Sequence, residues 1–327
     1  MRLALTDDQL AIRDLCRSLF SERRDPDELW ERCVELGLST ALVPADDGGL
    51  GLGWGDAVVI AEEAGRSLVP VPLASTLGLV AVARSASLQG TLRAVAAGAT
   101  GAVLAGGPFV EEPSAARPAL DARAGCPLGL TLAGDARGAL TALAVICRSD
   151  GLSALPAIDA ARPLCLVNLT AADLQDAERG PVTAPEWLAL PSLVRSAEAL
   201  GTVGLMLEMA VEHAKQRRQF GQPIGSFQAV KHRLVDAELA VERARSLLYG
   251  AVATRDRSET ADFGRAVPVR ATADAALEAA RTAVHVHGAT GITVEHPVSG
   301  LYARARQLVS LLRHEAPSAA APGPSSI

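Results

Sequence analysis

The stretch "RRQFGQPIGSFQAVKHRLVD", residues 217–236, is the most informative part of this chain. Basic residues lead into a short Phe-Gly…Pro…Gly turn, which continues directly into a predicted helix with Ser226 as its expected N-cap and Gln228 in its first turn. A guanidinium beside a turn and a helix N-terminus suits the binding of a phosphate or pyrophosphate. A nucleic-acid patch and an ordinary solvated helix face are the alternatives, and the rest of the chain decides between them.

The composition indicates a globular, mainly helical protein whose anion site must be local. Of the 327 residues, 49% are apolar and 21% are charged, which provides ample material for a core. The formal net charge of −6 argues against non-specific binding of nucleic acid through bulk charge. Aromatic residues make up only 3%, and the abundance of Ala and Leu favours helices over a β-sandwich or barrel.

The cysteines and the N-terminal sequence favour a cytoplasmic protein. The five cysteines are odd in number, scattered, and include no CxxC pair, which is typical of reduced thiols. The opening "MRLALTDDQLAIRD" has acidic residues where a signal peptide needs an apolar run. No apolar stretch approaches the roughly 20 residues that a membrane-spanning helix requires. We therefore expect neither a membrane nor a nucleic acid among the partners.

The pattern of apolar runs and turn residues along the sequence predicts helices, then a small β unit, then helices again. Residues 1–105 form the predicted N-terminal helical domain, in which Thr6 and Gln9 make a capping-box signature. Short apolar runs such as "LGLTLAG" and "LTALAVICR" predict antiparallel strands in a middle domain at 106–185. Residues 186–315 form the predicted C-terminal helical bundle, and 316–327 a disordered tail.

Three individual helices and one turn are predicted from their boundary residues. One helix runs from Pro26 to a stop at Gly37, a long one runs from Phe227 to about Thr254, and a third covers residues 270–288. The long helix carries an apolar stripe: Val230, Leu234, Ala237, Val241, Ala244 and Leu248. The Gly-rich "GGLGLGWG" at 48–55 is interpreted as a tight turn, because no strand leads into it and its glycines do not fit a dinucleotide fingerprint.

The spacing of the residues argues against the other candidate sites. His285 and His287 lie two residues apart on a helix, so they do not share a face, and no metal site is expected there. Glu62 and Glu63 are adjacent and for the same reason do not form a facing carboxylate pair. No nucleophile elbow is present to begin a Ser-His-Asp arrangement.

The stretch at 217–236 resembles the segment R-x-x-F-G-x-P-I-x-x-F-Q-x-x-x-H of the acyl-CoA dehydrogenase family. Residues 283–306, "AVHVHGATGITVEHPVSGLYARAR", resemble that family's A-x-Q-x-x-G-G-x-G-x-T-x-E-H/Y-P…R. Residues 43–68 and 200–221 fit as well, so the resemblance covers nearly the whole chain. It implies an N-terminal helical domain, a middle β-barrel-like domain and a C-terminal four-helix bundle, that is, a mainly α fold with a small β domain.

The resemblance also implies a cofactor and the residues that bind it. In this family FAD lies at a subunit interface, and one subunit extends an arginine and a phenylalanine to the pyrophosphate end of its neighbour's flavin. Carried over by position, Arg217 is the pyrophosphate arginine, Phe220 packs on the cofactor, and Gln228 contacts its adenosine side. His285 stands where the family has a glutamine. Gly288 and Ala289 stand at its paired glycines.

The chain departs from the family where the chemistry is done. The family removes the α-proton of an acyl thioester with a glutamate and transfers hydride from the β-carbon to the flavin. The two positions at which the family carries this base correspond to Leu312 and Val194, and neither side chain accepts a proton. Glu315 is a candidate only if the loop is displaced. The flavin-binding T-E-P-x-x-G-S motif is reduced to Glu112-Pro113.

These losses form one pattern: the half-site given to a neighbour's FAD is retained, and the chain's own flavin half is eroded. This resembles the shorter, non-catalytic subunit of heteromeric acyl-CoA dehydrogenases, whose partner is a homologous subunit and whose substrate is an acyl-CoA or acyl-carrier thioester. One alternative is a self-sufficient homodimer or tetramer with a displaced base. The other is a flavin-free fold that serves as a scaffold or catalyses a non-redox step.

Overall fold

The computed structural model describes residues 5–22, 24–104, 116–121, 128–135, 138–257 and 266–315. The helices of this part are α1 Asp7–Ser21, α2 Pro26–Glu35, α3 Trp54–Arg66, α4 Leu73–Ser85, α5 Gln89–Ala96, α6 Ala171–Gln175, α7 Ala184–Gln216, α8 Gln228–Arg257, α9 Ala266–His287 and α10 Pro297–Glu315. Its strands are β1 Gly101–Val103, β2 Arg117–Leu120, β3 Leu128–Gly134, β4 Leu140–Ile146, β5 Leu152–Leu155, β6 Leu164–Val167, β7 Glu178–Pro181, β8 Arg218–Gln219 and β9 Gln222–Pro223. The predicted mainly α composition with a small β region is confirmed.

The first two helices begin and end where the local chemistry of the sequence predicts. Thr6 caps α1, and its side chain and that of Gln9 each accept the other's backbone N–H, so the capping box is confirmed. Pro26 opens α2 behind the Asp25 cap, and the helix stops just before Gly37, whose φ is +73°.

The Gly-rich segment at 48–55 turns tightly between α2 and α3, as predicted, and its last two residues, Trp54 and Gly55, begin α3. Gly48 and Gly51 have positive φ values of 88° and 62°, which only glycine adopts without strain. Gly49 passes so close to the preceding backbone that a Cβ there would lie 2.3 Å from the Val43 carbonyl oxygen. These glycines are needed to close the turn.

The strands form two small sheets and one hairpin. The first sheet has the order β1-β3-β4-β7, with β1 parallel to β3 and the other pairs antiparallel. The second sheet is antiparallel with the order β2-β6-β5. The predicted runs "LGLTLAG" and "LTALAVICR" are paired strands β3 and β4. The hairpin β8-β9 joins α7 to α8.

Helix α7 is the central element of the helical part, since it packs against α3, α4, α8, α9 and α10. Its approach to α3 depends on two glycines. A Cβ on Gly65 would lie 1.9 Å from the Glu198 carbonyl oxygen, and one on Gly201 would lie 1.8 Å from that of Glu62. The predicted stripe of α8 faces this bundle. Its last four residues, Ala237, Val241, Ala244 and Leu248, are fully buried, whereas Val230 and Leu234 are half-buried.

Two general expectations can be compared with the described residues. The four described cysteines, Cys16, Cys33, Cys147 and Cys165, are buried thiols outside any disulfide. None of the described helices has the length and apolar character needed to cross a bilayer.

Candidate functional site

The loop at residues 217–223 is a two-residue β-hairpin that presents an arginine and a phenylalanine to solvent. Arg218 pairs with Pro223 and Gln219 with Gln222, which leaves Phe220 and Gly221 as the turn residues. Both have positive φ values, 50° and 81°, as a type I′ hairpin turn requires. A phenylalanine in this conformation costs about 1 kcal/mol or more, and such strain is concentrated at functional sites. Its ring is 92% exposed.

Arg217 is the residue at which α7 ends and the hairpin begins. Its backbone N–H donates to the His213 carbonyl oxygen at 2.8 Å, and its own carbonyl oxygen accepts the N–H of Ile224 at 2.8 Å. The side chain is exposed, and no described residue makes a hydrogen bond or ion pair with it. The neighbouring Arg218, by contrast, donates to the Gly221 carbonyl oxygen at 3.2 Å and so braces the turn. The backbone is therefore fixed at Arg217 while its guanidinium is left available.

The start of α8 differs from the prediction by one residue. Ser226 is not the N-cap, because it lies in a 3-10 turn at 224–226 and its hydroxyl donates to the Pro223 carbonyl oxygen. The first helical bond instead runs from the Lys231 N–H to the Phe227 carbonyl oxygen at 3.1 Å. The Phe227 ring packs edge-on against that of Phe220, with centroids 6.2 Å apart. Gln228 is then the first residue of the helix.

The second part of the predicted cofactor site lies where α9 ends. His285 is exposed on the last turn of α9 and lines an open cleft of about 560 Å³ between α8 and α9. Gly288 follows the helix with a φ of +64°, the left-handed residue that commonly ends a helix. Ala289 lies in a 3-10 turn without positive φ, so its methyl group is accommodated where the family has glycine.

A contact among three histidines, which the sequence did not predict, connects these two parts. His287 of α9 lies with its ring centroid 4.6 Å from that of His213 on the last turns of α7. On its other side the ring of His296, in the turn before α10, is 4.9 Å away. His287 is buried and His285 is exposed, so the pair weighed as a metal site points into different environments. The connection brings the Gly288 turn to the end of α7, one helical turn from Arg217.

The interior between the β region and the helices holds a second, buried group of charges. Arg162 forms ion pairs with Asp121 and with Glu198 of α7, and all three side chains are 3% exposed. Ser75 of α4 donates to Asp121 at 2.5 Å and accepts from Arg162 at 3.3 Å. Burial alone would lower the pKa of Arg162, but the two carboxylates raise it above its ordinary value. The residues lie far apart in sequence, so no spacing rule reveals them.

A second buried arginine extends this network to α10. Arg304 pairs with Asp159 at 2.6 Å and donates to the Val69 carbonyl oxygen at 3.1 Å. Gln307, one turn further, accepts the Asp159 N–H and donates to the Arg162 carbonyl oxygen. The network therefore ties residues 121–162 to α4, α7 and α10 with its charges neutralised internally.

The positions expected for a catalytic base are apolar or neutralised. Val194 and Leu312 are fully buried apolar residues. Glu198, one turn beyond Val194, is held by Arg162, and the space beside it between α4, α7 and β1 is about 10 Å³, too small for an acyl chain. Glu315 ends α10, about 27 Å along the helix from its start near His296, and its side chain lies outside the described residues. Glu112 and Pro113 also lie outside them.

A second charged cleft, of about 460 Å³, lies between α1, α3, α7 and α8. Glu62 accepts the Tyr249 phenol at 2.9 Å and the Arg245 guanidinium at 2.8 Å, while Glu63 pairs with Arg17 at 2.9 Å. The two adjacent glutamates thus have separate partners. Within the described part of the chain, no group of three or more His, Cys, Asp or Glu residues is arranged to hold a metal ion.

Comparison with known proteins gives consistent matches. Residues 6–91 match the family model described as acyl-CoA dehydrogenase, N-terminal domain, and residues 184–309 match the C-terminal domain. The chain is 31% identical to the acyl-CoA dehydrogenase FadE27 of Mycobacterium tuberculosis, over 88% of this chain and 84% of that protein. It is 29% identical to IpdE2 of the same organism, over 90% and 85%. The structure of the ChsE4-ChsE5 complex from M. tuberculosis aligns with a TM-score of 0.78 at 25% identity, over 96% of this chain and 95% of the other.

Proposed function

The chain belongs to the acyl-CoA dehydrogenase family of oxidoreductases, and we propose that it is the subunit that lends the pyrophosphate-side half of an FAD site to a homologous catalytic partner. Members of this family are FAD-dependent. The proposed assembly dehydrogenates an acyl-CoA or acyl-carrier thioester in the cytoplasm. The aligned structure is a complex of two differently named proteins, ChsE4 and ChsE5, which supports a partner subunit that is not identical to this chain.

The observation that carries this proposal is the contrast between Arg217 and the other arginines around it. Arg217 is exposed with its guanidinium free of described partners, although the backbone beneath it is held by hydrogen bonds on both sides. An exposed arginine on a braced loop is suited to bidentate binding of a phosphate. Gly221 and Gly288 leave open space beside their backbones, because an added Cβ would meet no atom within 4 Å at either position.

The residues present fit the adenosine diphosphate portion of FAD. Arg217 would neutralise the diphosphate, and the exposed Phe220 ring would cover the cofactor from the side of the turn. Gln228 and His285 offer hydrogen-bond donors, and none of these predicted residues is a carboxylate that would repel the anion. A bound FAD would supply the acceptor for the hydride that leaves the β-carbon of the thioester.

The partner's role follows from the apolar or neutralised residues at the two base positions of this chain. Removal of the α-proton requires a base whose carboxylate reaches the substrate. Val194 and Leu312 have no such group, and the Glu198 carboxylate is fully buried and paired with Arg162. We therefore assign the base to the partner subunit, and to this chain the positioning of the cofactor.

Two absorbance spectra test the proposal. One is taken of the chain purified alone, and the other after co-expression with a homologue that keeps the base glutamate. We expect a colourless chain alone and a yellow complex that contains FAD. One FAD per chain in the isolated protein would overturn the half-site in favour of a self-sufficient homo-oligomer. Colourless protein under both conditions would favour the flavin-free alternative.

The matched variants Arg217→Ala and Arg218→Ala localise the effect within the complex. Loss of charged hydrogen bonds to a diphosphate weakens FAD binding by about ten- to a hundredfold in Arg217→Ala. Arg218→Ala removes an equal charge one residue away, so we expect a much smaller change. Equal effects of the two variants would show that general positive charge, and not Arg217, holds the cofactor.

A further inference from the structure

The three histidines that join the two parts of the half-site lie in ring-to-ring contact with their planes tilted by 32° and 60°, and we call this cluster the histidine stack: His213, His287 and His296. The rings meet at centroid distances of 4.6 Å and 4.9 Å and come from three different elements, the end of α7, the end of α9 and the turn before α10. His287 lies in the middle and is buried, and the outer two are half-buried. The stack therefore supports both the Arg217 hairpin and the Gly288 turn.

Each of two rings, those of His287 and His296, makes a hydrogen bond through Nδ1 to the backbone. His287 Nδ1 lies 2.8 Å from the Ala283 carbonyl oxygen, so this nitrogen carries the proton and donates. The Val298 N–H donates to His296 Nδ1 at 3.3 Å, so that nitrogen is an acceptor. His213, the outer ring nearest to Arg217 along the chain, has only its stacking contact among the described residues. It is the member of the stack best placed to gain a proton.

The groups that act on His213 are positive when they are charged. Burial, His287, Arg217 and His296, in that order, lower the pKa of His213. Burial also lowers the pKa of His287, with His296 adding to it and the bond to Ala283 opposing it. Burial and these neighbours therefore favour the neutral forms of His213 and His287.

The carboxylates near the histidine stack do not offset the positive charge of the cations around it. Glu212 lies next to His213 but pairs with Lys215 at 2.6 Å. Glu295 precedes His296 and is exposed. On the adjoining first turns of α8, Lys231 and Arg233 are exposed cations. An anion bound at Arg217 would supply the negative charge that this surface lacks.

We propose that the histidine stack makes diphosphate binding proton-linked: His213 takes up a proton when a diphosphate binds at Arg217, so the affinity of the half-site rises as the pH falls. The inference rests on the proposed function and adds a regulation to the same site. His213 lies one helical turn before Arg217, and a dianion there favours the imidazolium by direct attraction and by offsetting the guanidinium. The C-terminal end of α7 favours the same charge.

The direction and size of the effect follow from linkage. Binding raises the pKa of His213, so the complex holds more protons than the free chain over the interval between the two pKa values. One linked proton changes the dissociation constant by at most tenfold per pH unit, and we expect affinity to rise about three- to tenfold between about pH 8 and about pH 6. At still lower pH the free chain is protonated as well, and the dependence ends.

ADP-ribose is the probe, because its diphosphate diester keeps the same charge throughout this pH range and it contains the adenosine diphosphate portion of FAD. Calorimetric titration of the full chain, in two buffers of different ionisation enthalpy, gives both the dissociation constant and the number of protons taken up. We expect up to one proton per ADP-ribose at about pH 6.5 and less at about pH 8. The variant His213→Gln should bind with a flat pH profile and no proton uptake.

The variant His314→Gln is the matched control, since His314 is exposed near the far end of α10 and should leave the pH profile unchanged. Binding of ADP-ribose without pH dependence, or a slope that persists in His213→Gln, would overturn the histidine mechanism and leave the proposed function standing. Absence of binding at every pH in the wild-type chain would contradict the half-site itself, and the inference with it. If His213→Gln does not fold, the proton count of the wild-type chain alone decides.

Discussion

Arg217 and Arg162 show how differently one chain uses the same side chain. Arg162 is 3% exposed, pairs with two carboxylates and shares a serine with one of them, so its charge is fully used within the fold. Arg217 is exposed on a strained hairpin and has no described partner. A neutralised interior group holds elements together, whereas an unused surface charge on a fixed backbone is available to a ligand. The difference separates the structural half of this protein from its proposed binding half.

Replacing the buried arginine should produce the largest effect on stability. Arg162→Ala leaves Asp121 and Glu198 buried without their counter-ion, which costs about 3–5 kcal/mol in the free energy of unfolding. Chemical denaturation measures this change. The control Arg148→Ala removes an exposed arginine that pairs with the exposed Asp150, and stability should stay nearly unchanged. A small loss in Arg162→Ala would mean that water enters the network and solvates the carboxylates.

The next effect tests the crossing of α3 and α7. Gly201→Ala places a methyl group 1.8 Å from the Glu62 carbonyl oxygen, a backbone atom, so the helices must separate at a cost of about 1–3 kcal/mol or more. Gly204→Ala, one turn further along α7, meets only the end of the Arg245 side chain at 3.5 Å. It should stabilise the helix by about 0.5–1 kcal/mol. Melting curves of the two variants should show opposite changes in stability. A change of the same sign in both would contradict the close contact of α3 with α7.

The pH dependence of stability should expose the buried histidine. Burial lowers the pKa of His287 in the folded chain below its value of about 6.5 in the unfolded chain. The unfolded chain therefore binds more protons below this pH. The contribution of neutral His287 is complete above about pH 6.5 and is lost as the pH falls, by at most about 1.4 kcal/mol per pH unit. Denaturation between about pH 5 and about pH 8 should show a smaller slope in His287→Gln than in His314→Gln.

Much of the fold could be predicted from local sequence, because caps, turns and apolar stripes are short-range signals. The Thr6 cap, the Gly37 stop and the stripe of α8 all have their determinants within a few residues. The Ser226 cap was wrong by one residue, because Ser226 lies in a 3-10 turn and its hydroxyl donates to the Pro223 carbonyl oxygen instead of capping the helix. Such local side-chain hydrogen bonds compete with helix capping.

In the candidate site, too, the local contacts could be predicted from the sequence and the long-range contacts could not. Arg217, Phe220 and Gln228 belong to one continuous segment, so their proximity was visible in the sequence. The histidine stack joins residues as much as 83 positions apart, from 213 to 296. The Arg162 network joins residues from Ser75 to Gln307. No periodicity encodes such contacts. A histidine on each of three elements that end near one another is the signal that could have suggested the stack.

Substitution of Phe220 should change stability least of all and yet clearly weaken binding of the cofactor. Phe220→Asn places a residue that tolerates positive φ in the hairpin turn, and it removes only the edge contact with Phe227. These two effects oppose each other, so the free energy of unfolding should change by less than about 1 kcal/mol. The ring is 92% exposed, however, and little within the chain requires it. If its purpose is to cover a cofactor, ADP-ribose or FAD binding should weaken severalfold while the melting curve stays in place. Unchanged binding with higher stability would show that the strained phenylalanine serves contact with the partner subunit instead of the flavin.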